Sequence, residues 1–288
     1  MEKVLIIYFS GMGNTKLLAN MAKDEFLAKG YDTKVVDVCS DEVVEINDYN
    51  YLVVAYPIYA FNAPGPIISY IKKFNKINND LKCLILKDSG EYLFWNNASS
   101  LQLTSILKRK GIKIFSEYHY LLPYSFVFRH TDYMAYKMLY TLKYLLPLDI
   151  DDFLGGKYHK LDRFFLDRPF SFVFRIQRFG GRLNGRFYKV DQEKCIKCNK
   201  CINNCPANNI KIKDDKFIFG GKCLMCQRCV VNCPHTAIKA GFFKRWMVGG
   251  AYSFRETTEF EVEKKPKYCA KSYKKYFEES VKRGNKIV

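Results

Sequence analysis

The sequence predicts an α/β protein with two parts: a doubly wound, five-stranded parallel sheet and a small α+β domain rich in cysteine. Two observations support this prediction. Residues 1–120 alternate short apolar runs with helical patterns, as in parallel sheets that helices cover on both faces. In addition, eight of the 11 cysteines fall between Cys195 and Cys233. This density indicates metal or redox chemistry in a reducing compartment.

The elements of the first part follow from the apolar periodicity. Short apolar runs predict five strands, at Val4–Phe9, Thr33–Val38, Tyr51–Tyr56, Lys82–Leu86 and Ile112–Tyr118. Helical periodicity fits four segments, at 14–29, 64–74, 98–110 and 131–146. The expected strand order is 2-1-3-4-5, which places a ligand on the loops after strands one, three and four.

The chain is expected to divide into four segments. Residues 1–150 form the sheet domain, and residues 151–187 form an aromatic and basic connector. The cysteine-rich domain spans residues 188–241. A basic C-terminal tail follows at 242–288, with a helix predicted from Tyr268 to Lys282.

The charge of the chain predicts the kind of partner. The formal net charge is +18, and residues 126–288 hold 33 basic but only 16 acidic side chains. We therefore expect redox partner proteins with acidic surfaces and no nucleic acid, since no recognition motif occurs. No apolar run is long enough to span a bilayer, and no cleavage site follows the N-terminal apolar run. A cytoplasmic protein is expected, and a homodimer is one possible arrangement.

The cysteines of the second part form two runs with one spacing. In each run two, two and three residues separate successive cysteines, and a proline follows the last. The first run is Cys195, Cys198, Cys201 and Cys205, and the second is Cys223, Cys226, Cys229 and Cys233. Each cysteine of the second run lies 28 positions after its counterpart, so the segment is an internal duplication.

This spacing is typical of two [4Fe–4S] clusters that share their ligands. Three close thiolates bind three irons of one cluster, and the fourth cysteine of the run ligates the other cluster. Cys195, Cys198, Cys201 and Cys233 are thus assigned to one cluster, and Cys223, Cys226, Cys229 and Cys205 to the other. A pair of zinc sites is the alternative, but zinc usually takes two separate C-x-x-C pairs. The segment closely resembles bacterial two-cluster ferredoxins, which implies low-potential, one-electron chemistry.

The loop after strand one predicts a phosphate site. It consists of Ser10, Gly11, Met12, Gly13, Asn14 and Thr15. Glycines, backbone N–H groups and a helix N-terminus cradle a phosphate in such loops. A dinucleotide fold is one interpretation, but Lys16 stands in place of its third glycine. An ordinary tight turn is another. The loop resembles the hydroxyl-rich phosphate loop of flavodoxins, with Met12 where that family usually has Thr or Ser.

Two further loops extend this resemblance. The loop after strand three contains Pro57, Ile58, Tyr59, Ala60 and Phe61. In flavodoxin-like proteins it lines the isoalloxazine ring of FMN, so Tyr59 or Phe61 is expected to stack there. Packing of these aromatics within the domain is the alternative. The loop after strand four supplies Ser89 and Gly90. The whole chain resembles flavodoxin–ferredoxin fusion proteins of anaerobic bacteria and archaea, which implies FMN and two [4Fe–4S] clusters in one unit.

The connector carries arginines at helical spacing, namely Arg175, Arg178, Arg182 and Arg186. Gly180-Gly181 argues against one unbroken helix. A docking surface for an acidic redox partner or for anionic lipid headgroups is one interpretation. The preferred interpretation is a solvated basic face on a helix that packs between the domains, with Val173, Phe174, Ile176 and Phe179 on the packed side.

Three functions are compatible with these features. The preferred one is an electron carrier that relays electrons between the two clusters and FMN. The second is a flavin-dependent oxidoreductase that acts on a small substrate such as a quinone, although no general acid or base is evident. The third is an iron–sulfur redox sensor or scaffold. No catalytic residue is assigned.

Overall fold

The computed structural model describes residues 1–42, 44–77, 80–257 and 267–284, and its largest feature is a parallel sheet. The strands are β1 (Lys3–Tyr8), β2 (Asp32–Asp37), β3 (Tyr51–Pro57), β4 (Lys82–Ser89) and β5 (Lys113–Leu121). Their order is β2-β1-β3-β4-β5, and every pairing is parallel. The predicted fold class and strand order are confirmed.

Four helices cover the two faces of this sheet, at α1 (Asn14–Ala28), α2 (Gly65–Lys72), α3 (Leu101–Arg109) and α4 (Asp132–Leu154). Successive strand residues point to opposite faces, so β1 contributes to two core layers. Leu5 packs in the layer that contains Ile67 of α2. Ile6 packs in the layer that contains Leu18 of α1 and Leu142 of α4. The sheet is therefore buried on both sides.

Helix α4 is longer than the sequence predicted. It continues past 146 through Pro147 to Leu154. Ile150 and Phe153 are fully or almost fully buried in the sheet core. The free energy gained by burying these two side chains offsets the loss of the helical hydrogen bond that proline cannot make.

A buried charge network joins the connector to the sheet. Lys87 Nζ on β4 lies 2.6 Å from Glu117 Oε1 on β5, and Arg163 Nη2 lies 2.8 Å from Glu117 Oε2. Burial by itself would raise the pKa of Glu117, but the charges of Lys87 and Arg163 outweigh burial and lower that pKa. The carboxylate of Glu117 is thus held ionised between two cations.

The connector forms two helices, α5 (Asp167–Phe174) and α6 (Gln177–Gly185). The break between them lies at Arg175–Ile176, and Gly180-Gly181 lies inside α6. An unbroken helix is indeed absent from this described segment, but the glycines do not separate its two halves.

The apolar side of these helices does not face the domains as predicted. The exposed fractions of Val173, Ile176 and Phe179 are 62%, 71% and 68%. The packed side is formed instead by Phe170, whose ring stacks on Trp95 with centroids 4.2 Å apart. Amphipathic spacing defines which residues share a face, but it does not define which face is covered. The prediction was wrong for Val173, Ile176 and Phe179, whereas Phe174 packs against Phe61 of the sheet domain.

The cysteine-rich part contains short elements, in chain order β6 (Lys189–Val190), α7 (Lys200–Asn203), β7 (Ile210–Lys213), β8 (Lys216–Phe219), α8 (Arg228–Val231) and β9 (Ile238–Lys239). β6 pairs with β9 and β7 pairs with β8, both antiparallel. The duplication extends to the backbone. Positive φ angles occur at Lys197, Asn199 and Asn208, and again 28 positions later at Met225, Gln227 and Thr236.

The last helix, α9 (Lys267–Gly284), covers the helix predicted from Tyr268 to Lys282. It is not a free tail, because Tyr273 and Tyr276 pack with Met138 of α4 and Leu121 of β5. The Tyr273 hydroxyl also donates to Gly90 O at 3.0 Å. Among the described helices, none is long and apolar enough to cross a membrane.

Candidate cofactor cavity and cluster sites

A cavity of about 570 Å³ opens at the carboxyl ends of β1, β3 and β4. Sheets of this strand order bind ligands at this edge. All three predicted loops line it, with Ser10, Gly11, Met12, Asn14 and Thr15, then Pro57, Ile58, Tyr59, Ala60 and Phe61, then Ser89 and Gly90. The structure describes all the predicted residues of these loops, and Gly13 is the one that does not line the cavity. The volume lies within the range of roughly 300–1,000 Å³ typical of small-molecule sites.

The loop between β1 and α1 is a tight turn that leads directly into a helix N-terminus. Gly13 has a φ of 106°, which favours glycine, and its N–H donates to Ser10 Oγ at 3.0 Å. Helix α1 begins at the next residue, so its first N–H groups lack intrahelical partners. These groups and the helix dipole favour an anion at this position.

Met12 lines the cavity but is held by apolar packing. Its side chain is buried in a cluster with Ala135, Val248 and Tyr252. This cluster joins α4 to the segment that follows the cysteine-rich part. This packing explains why an apolar side chain stands where flavodoxins usually have a hydroxyl. The loop therefore has one side-chain hydrogen-bond donor fewer than the loop it resembles.

The loop after β3 is a tight turn in an unfavourable conformation. Tyr59 N donates to Asn62 O at 2.9 Å, and Asn62 N donates to Tyr59 O at 3.0 Å. The central residues Ala60 and Phe61 have φ angles of 43° and 57°, as in a type I′ turn, which usually needs glycine or asparagine. Ser171 of α5 holds the turn, because its hydroxyl donates to Asn62 Oδ1 at 2.8 Å.

The two aromatic residues of this turn have different surroundings. Phe61 packs against Phe170 and Phe174 of α5, with ring centroids 4.9 and 5.0 Å away. Tyr59 meets Phe9 edge-on at 6.0 Å. The buried hydroxyl of Tyr59 has no hydrogen-bond partner within the described part of the chain, and burial raises its pKa well above the usual value. The hydroxyl is enclosed by protein and lies against the β1–α1 loop, because a Cβ at Gly11 would overlap it.

The loop after β4 is covered by an aromatic side chain. A Cβ at Gly90 would overlap the ring of Tyr124, so glycine is needed for this close approach. Tyr124 also lines the cavity. The Ser89 hydroxyl is already engaged, since it donates to Glu91 O at 2.6 Å and lies 2.7 Å from His119 Nε2.

Asp88, near the end of β4, is a titratable group to which the sequence assigned no role. Its side chain is buried in the cavity wall. The Thr15 hydroxyl donates to Asp88 Oδ2 at 2.6 Å. Burial raises the pKa of Asp88 to about 7, although the hydrogen bond from Thr15 opposes this shift. The carboxyl group can therefore hold or release a proton near neutral pH.

The structure brings the first predicted cysteine set together. Cys195, Cys198, Cys201 and Cys233 line one small cavity. The Ala237 N–H donates to Cys233 Sγ at 3.2 Å, and the Asn209 N–H donates to Cys205 Sγ at 3.3 Å in the other half. Hydrogen bonds of this kind to ligand sulfurs tune cluster potentials.

The second predicted set also shares one neighbourhood. Burial, followed by the nearby thiols of Cys226, Cys223 and Cys205, raises the pKa of Cys229. A bound metal would reverse this effect, because it holds cysteine as thiolate. Within the described residues, no group of three or more His, Cys, Asp or Glu side chains is placed for a single metal ion.

The second cysteine run packs directly on the loop between β1 and α1. Arg228 donates from Nε to Ser10 O at 2.7 Å and from Nη2 to Asp37 Oδ2 at 2.8 Å. A Cβ at Gly11 would overlap the carbonyl oxygen of Cys226. Cys223, Leu224 and Met225 therefore form one wall of the cavity. Sequence reasoning missed Arg228 and Tyr124, because no local pattern marks contacts with distant parts of the chain.

Comparison with known proteins identifies the cysteine-rich segment. Residues 194–238 match the 4Fe-4S dicluster domain family. No curated protein matches the chain.

Solved structures similar to the chain include three flavodoxins. A flavodoxin from the domain Archaea is 17% identical over 53% of this chain and 99% of its own, with a TM-score of 0.39. The Streptococcus pneumoniae TIGR4 flavodoxin is 18% identical over 41% of this chain and 82% of its own, with a TM-score of 0.34. A Fusobacterium nucleatum flavodoxin mutant bound to flavin mononucleotide is 21% identical over 42% and 74%, with a TM-score of 0.32.

The strand order and the matched segment together define the class of protein. A parallel sheet of order 2-1-3-4-5 with helices on both faces is the flavodoxin-like fold. The segment 194–238 is a 4Fe–4S dicluster domain. The chain is therefore a fusion of a flavodoxin-like domain with a ferredoxin-like domain, as the resemblance implied, and this architecture supports a redox role.

Proposed function

We propose that the protein relays electrons between two [4Fe–4S] clusters and an FMN bound in the cavity. The observation that carries this proposal is the position of the second cysteine run. Cys223 and Met225 line the cavity, and the carbonyl oxygen of Cys226 packs on Gly11 of the phosphate loop. A cluster held by this run lies beside whatever the cavity binds.

Three features of the cavity suit FMN. The loop Ser10–Thr15 and the N-terminus of α1 suit its phosphate. The cavity volume of about 570 Å³ is sufficient for a cofactor of this size. The turn at Ala60–Phe61 is held in a costly conformation at the cavity wall, as is common at ligand sites. FMN, when bound, exchanges up to two electrons, whereas each cluster passes one.

The two clusters have different positions in this proposal. The cluster of Cys205, Cys223, Cys226 and Cys229 is the inner one, next to the cavity. The cluster of Cys195, Cys198, Cys201 and Cys233 is the outer one, since Cys198 is exposed and none of these four lines the cavity. Lys194, Lys197 and Lys200 surround the outer run and are exposed. They favour docking of a redox partner with an acidic surface, in the cytoplasm, where thiols stay reduced.

Cofactor analysis followed by stepwise reduction tests the proposal. The protein is purified without oxygen, and iron, sulfide and flavin are measured before absorbance and paramagnetic resonance are followed during reduction. We expect about eight irons and one FMN per chain, with electrons equilibrating between clusters and flavin. Eight irons without flavin would contradict the relay and leave the cavity's ligand open.

Cysteine variants test the order of the clusters. Cys205→Ser should remove the inner cluster, leave about four irons and slow reduction of the flavin through the outer cluster. Cys233→Ser should instead remove the outer cluster and slow the transfer of electrons from an external donor to the protein. Cys83→Ser is the matched control, since Cys83 lies on β4 within the sheet core and outside both runs. Equal flavin reduction in the Cys205→Ser variant and the control would refute the inner assignment.

A small-substrate oxidoreductase is the second candidate. The observation that favours it is Asp88, a buried carboxyl in the cavity wall with a pKa of about 7, which suits transfer of a proton to a reduced substrate. Quinone turnover by the holoprotein, compared with free FMN, tests this candidate. Turnover that does not exceed the free-FMN rate, or that is unchanged in Asp88→Asn, would refute it.

A further inference from the structure

Helices α5 and α6 expose a large apolar surface, which we name the connector face. It consists of Phe165, Phe172, Val173, Ile176, Phe179 and Leu183, with exposed fractions of 77%, 69%, 62%, 71%, 68% and 55%. The spacing from Phe172 to Leu183 places these side chains along one side of the two helices. Single exposed apolar residues are ordinary, but a patch of this extent indicates an interaction site.

Cations border the connector face. Between Asp167 and Asp191 the chain has five arginines, one lysine and no acidic residue. The Arg175 guanidinium lies 5.8 Å from the ring of Phe172, and that of Arg182 lies 5.7 Å from the ring of Phe179. The long arginine side chains thus run beside apolar groups and carry their charge at the border.

The segment Gly241–Trp246 extends this surface. The ring of Phe242, which is exposed, lies 4.5 Å from the ring of Phe187 at the end of α6. Trp246 is half exposed, and Lys244 and Arg245 are exposed beside it. Aromatic side chains next to lysine and arginine are typical of proteins that rest at the boundary between lipid headgroups and acyl chains.

A basic groove of about 810 Å³ opens next to the connector face. Its cations are Lys72, Lys108, Arg109, Arg163, Arg168 and Arg175. Phe172 belongs both to the groove and to the connector face, and no carboxylate is among the described residues that line the groove. Arginine-rich grooves of this kind suit phosphate groups.

We propose that the connector face docks on an anionic membrane surface, with α5 and α6 lying in the headgroup region and the groove taking anionic headgroups. Helices with a Phe- and Leu-rich side and an arginine-rich border bind at this depth. An acidic protein is the rival occupant. A border of arginine and lysine around Phe, Ile and Leu side chains is typical of helices that lie among lipid headgroups, whereas the cores of protein interfaces are depleted of charged residues.

This surface lies beside the cofactor cavity. Phe174 of α5, Arg178 of α6 and Arg175 in the break between them line that cavity. A bound membrane would therefore lie close to the cavity, although the docking itself does not depend on the cofactor that the cavity holds.

Vesicle binding by the full-length protein, prepared without oxygen, tests the proposal. We expect co-sedimentation with vesicles that contain phosphatidylglycerol, at least about tenfold tighter than with pure phosphatidylcholine. Added salt should weaken this binding. Ile176→Ser with Phe179→Ser should reduce it about tenfold or more. Neither residue lines the cofactor cavity, so the cofactor content should stay unchanged.

Two matched controls separate the connector face from general effects. Leu27→Ser with Leu148→Ser removes exposed apolar residues elsewhere and should leave vesicle binding intact. Lys108→Gln with Arg168→Gln should weaken binding, because both residues line the groove, whereas Lys23→Gln with Lys143→Gln should change it little. Absence of binding at low salt, or equal binding by the Ile176/Phe179 variant, would overturn the proposal. So would a dimer in sedimentation analysis that this variant dissociates, because a second copy would then occupy the face.

Discussion

Arg228 Nη2 lies 2.8 Å from Asp37 Oδ2, across the boundary between the dicluster domain and the sheet. The same guanidinium donates to Ser10 O, so one side chain ties the second cysteine run to the ends of both β1 and β2. Its counterpart 28 positions earlier is Lys200, which is exposed. The two halves of the duplication therefore have different roles, and the second half alone contacts the sheet in this way.

Arg228→Gln should loosen the contact between the domains. Loss of two charge-assisted hydrogen bonds should cost roughly 2–3 kcal/mol. The expected result is slower electron exchange between clusters and flavin with an unchanged iron content, measured by rapid mixing with a reductant. Lys200→Gln is the matched control and should behave like the wild type. An unchanged rate in Arg228→Gln would show that this contact does not hold the domains together.

Because of Asp88, the folded protein should lose stability as the pH rises toward neutrality. Burial raises its pKa in the folded state from 3.8 to about 7. The folded state thus binds a proton more tightly than the unfolded state, so stability falls as pH rises from about 4 to 7 and then levels off. The loss is on the order of a few kcal/mol.

Asp88→Asn should remove this pH dependence. The variant should be more stable than the wild type at pH 8 and closer to it at pH 5.5, as measured by thermal unfolding of the flavin-free protein. Asp24→Asn, on the exposed side of α1, is the control. A stability difference that stays constant between these two pH values would contradict the raised pKa.

Replacing alanine by glycine should have opposite effects on stability in the turn at Ala60–Phe61 and in helix α9. Ala60 has a positive φ, which costs a non-glycine residue roughly 1–2 kcal/mol. Ala60→Gly should therefore stabilise the protein by about 1 kcal/mol, whereas Ala270→Gly inside α9 should destabilise it by about the same amount. Chemical denaturation measures both. A loss of stability in Ala60→Gly would contradict this expectation, because the positive φ of Ala60 would then have no net free-energy cost in the folded protein.

The sequence predicted the sheet and the cavity loops because their signals are local. Apolar runs mark strands wherever both faces are covered, and Ser10, Tyr59 and Gly90 follow directly from the ends of three strands. The cysteine spacing was equally local. Each of these predictions depends only on residues close together in the chain.

Other features could not be predicted from the sequence, because they depend on contacts between residues that are far apart in the chain. Arg228 and Ser10 are 218 positions apart, and Tyr273 contacts Gly90 over 183 positions. The orientation of α5 and α6 is a similar case. Their amphipathic pattern was visible, but the structure covers the side that carries Phe170 and leaves Ile176 exposed.

Glu117 should be the most sensitive position of the buried charge network. Glu117→Gln leaves the buried Lys87 without a counter-charge, which costs about 3–5 kcal/mol. Chemical denaturation should show this loss. Lys87→Met combined with Glu117→Leu should recover much of it, since it removes both buried charges. A single variant as stable as the double variant would contradict this account.

During synthesis on a ribosome, the strands of the sheet emerge before the cysteine runs, and α9 emerges after both. Helix α9 packs on α4 and bonds to the loop after β4, so the first domain receives its last packing partner only when the cysteines are already outside the exit tunnel. The two cysteine runs are thus outside the tunnel while the sheet domain still lacks the packing that α9 provides.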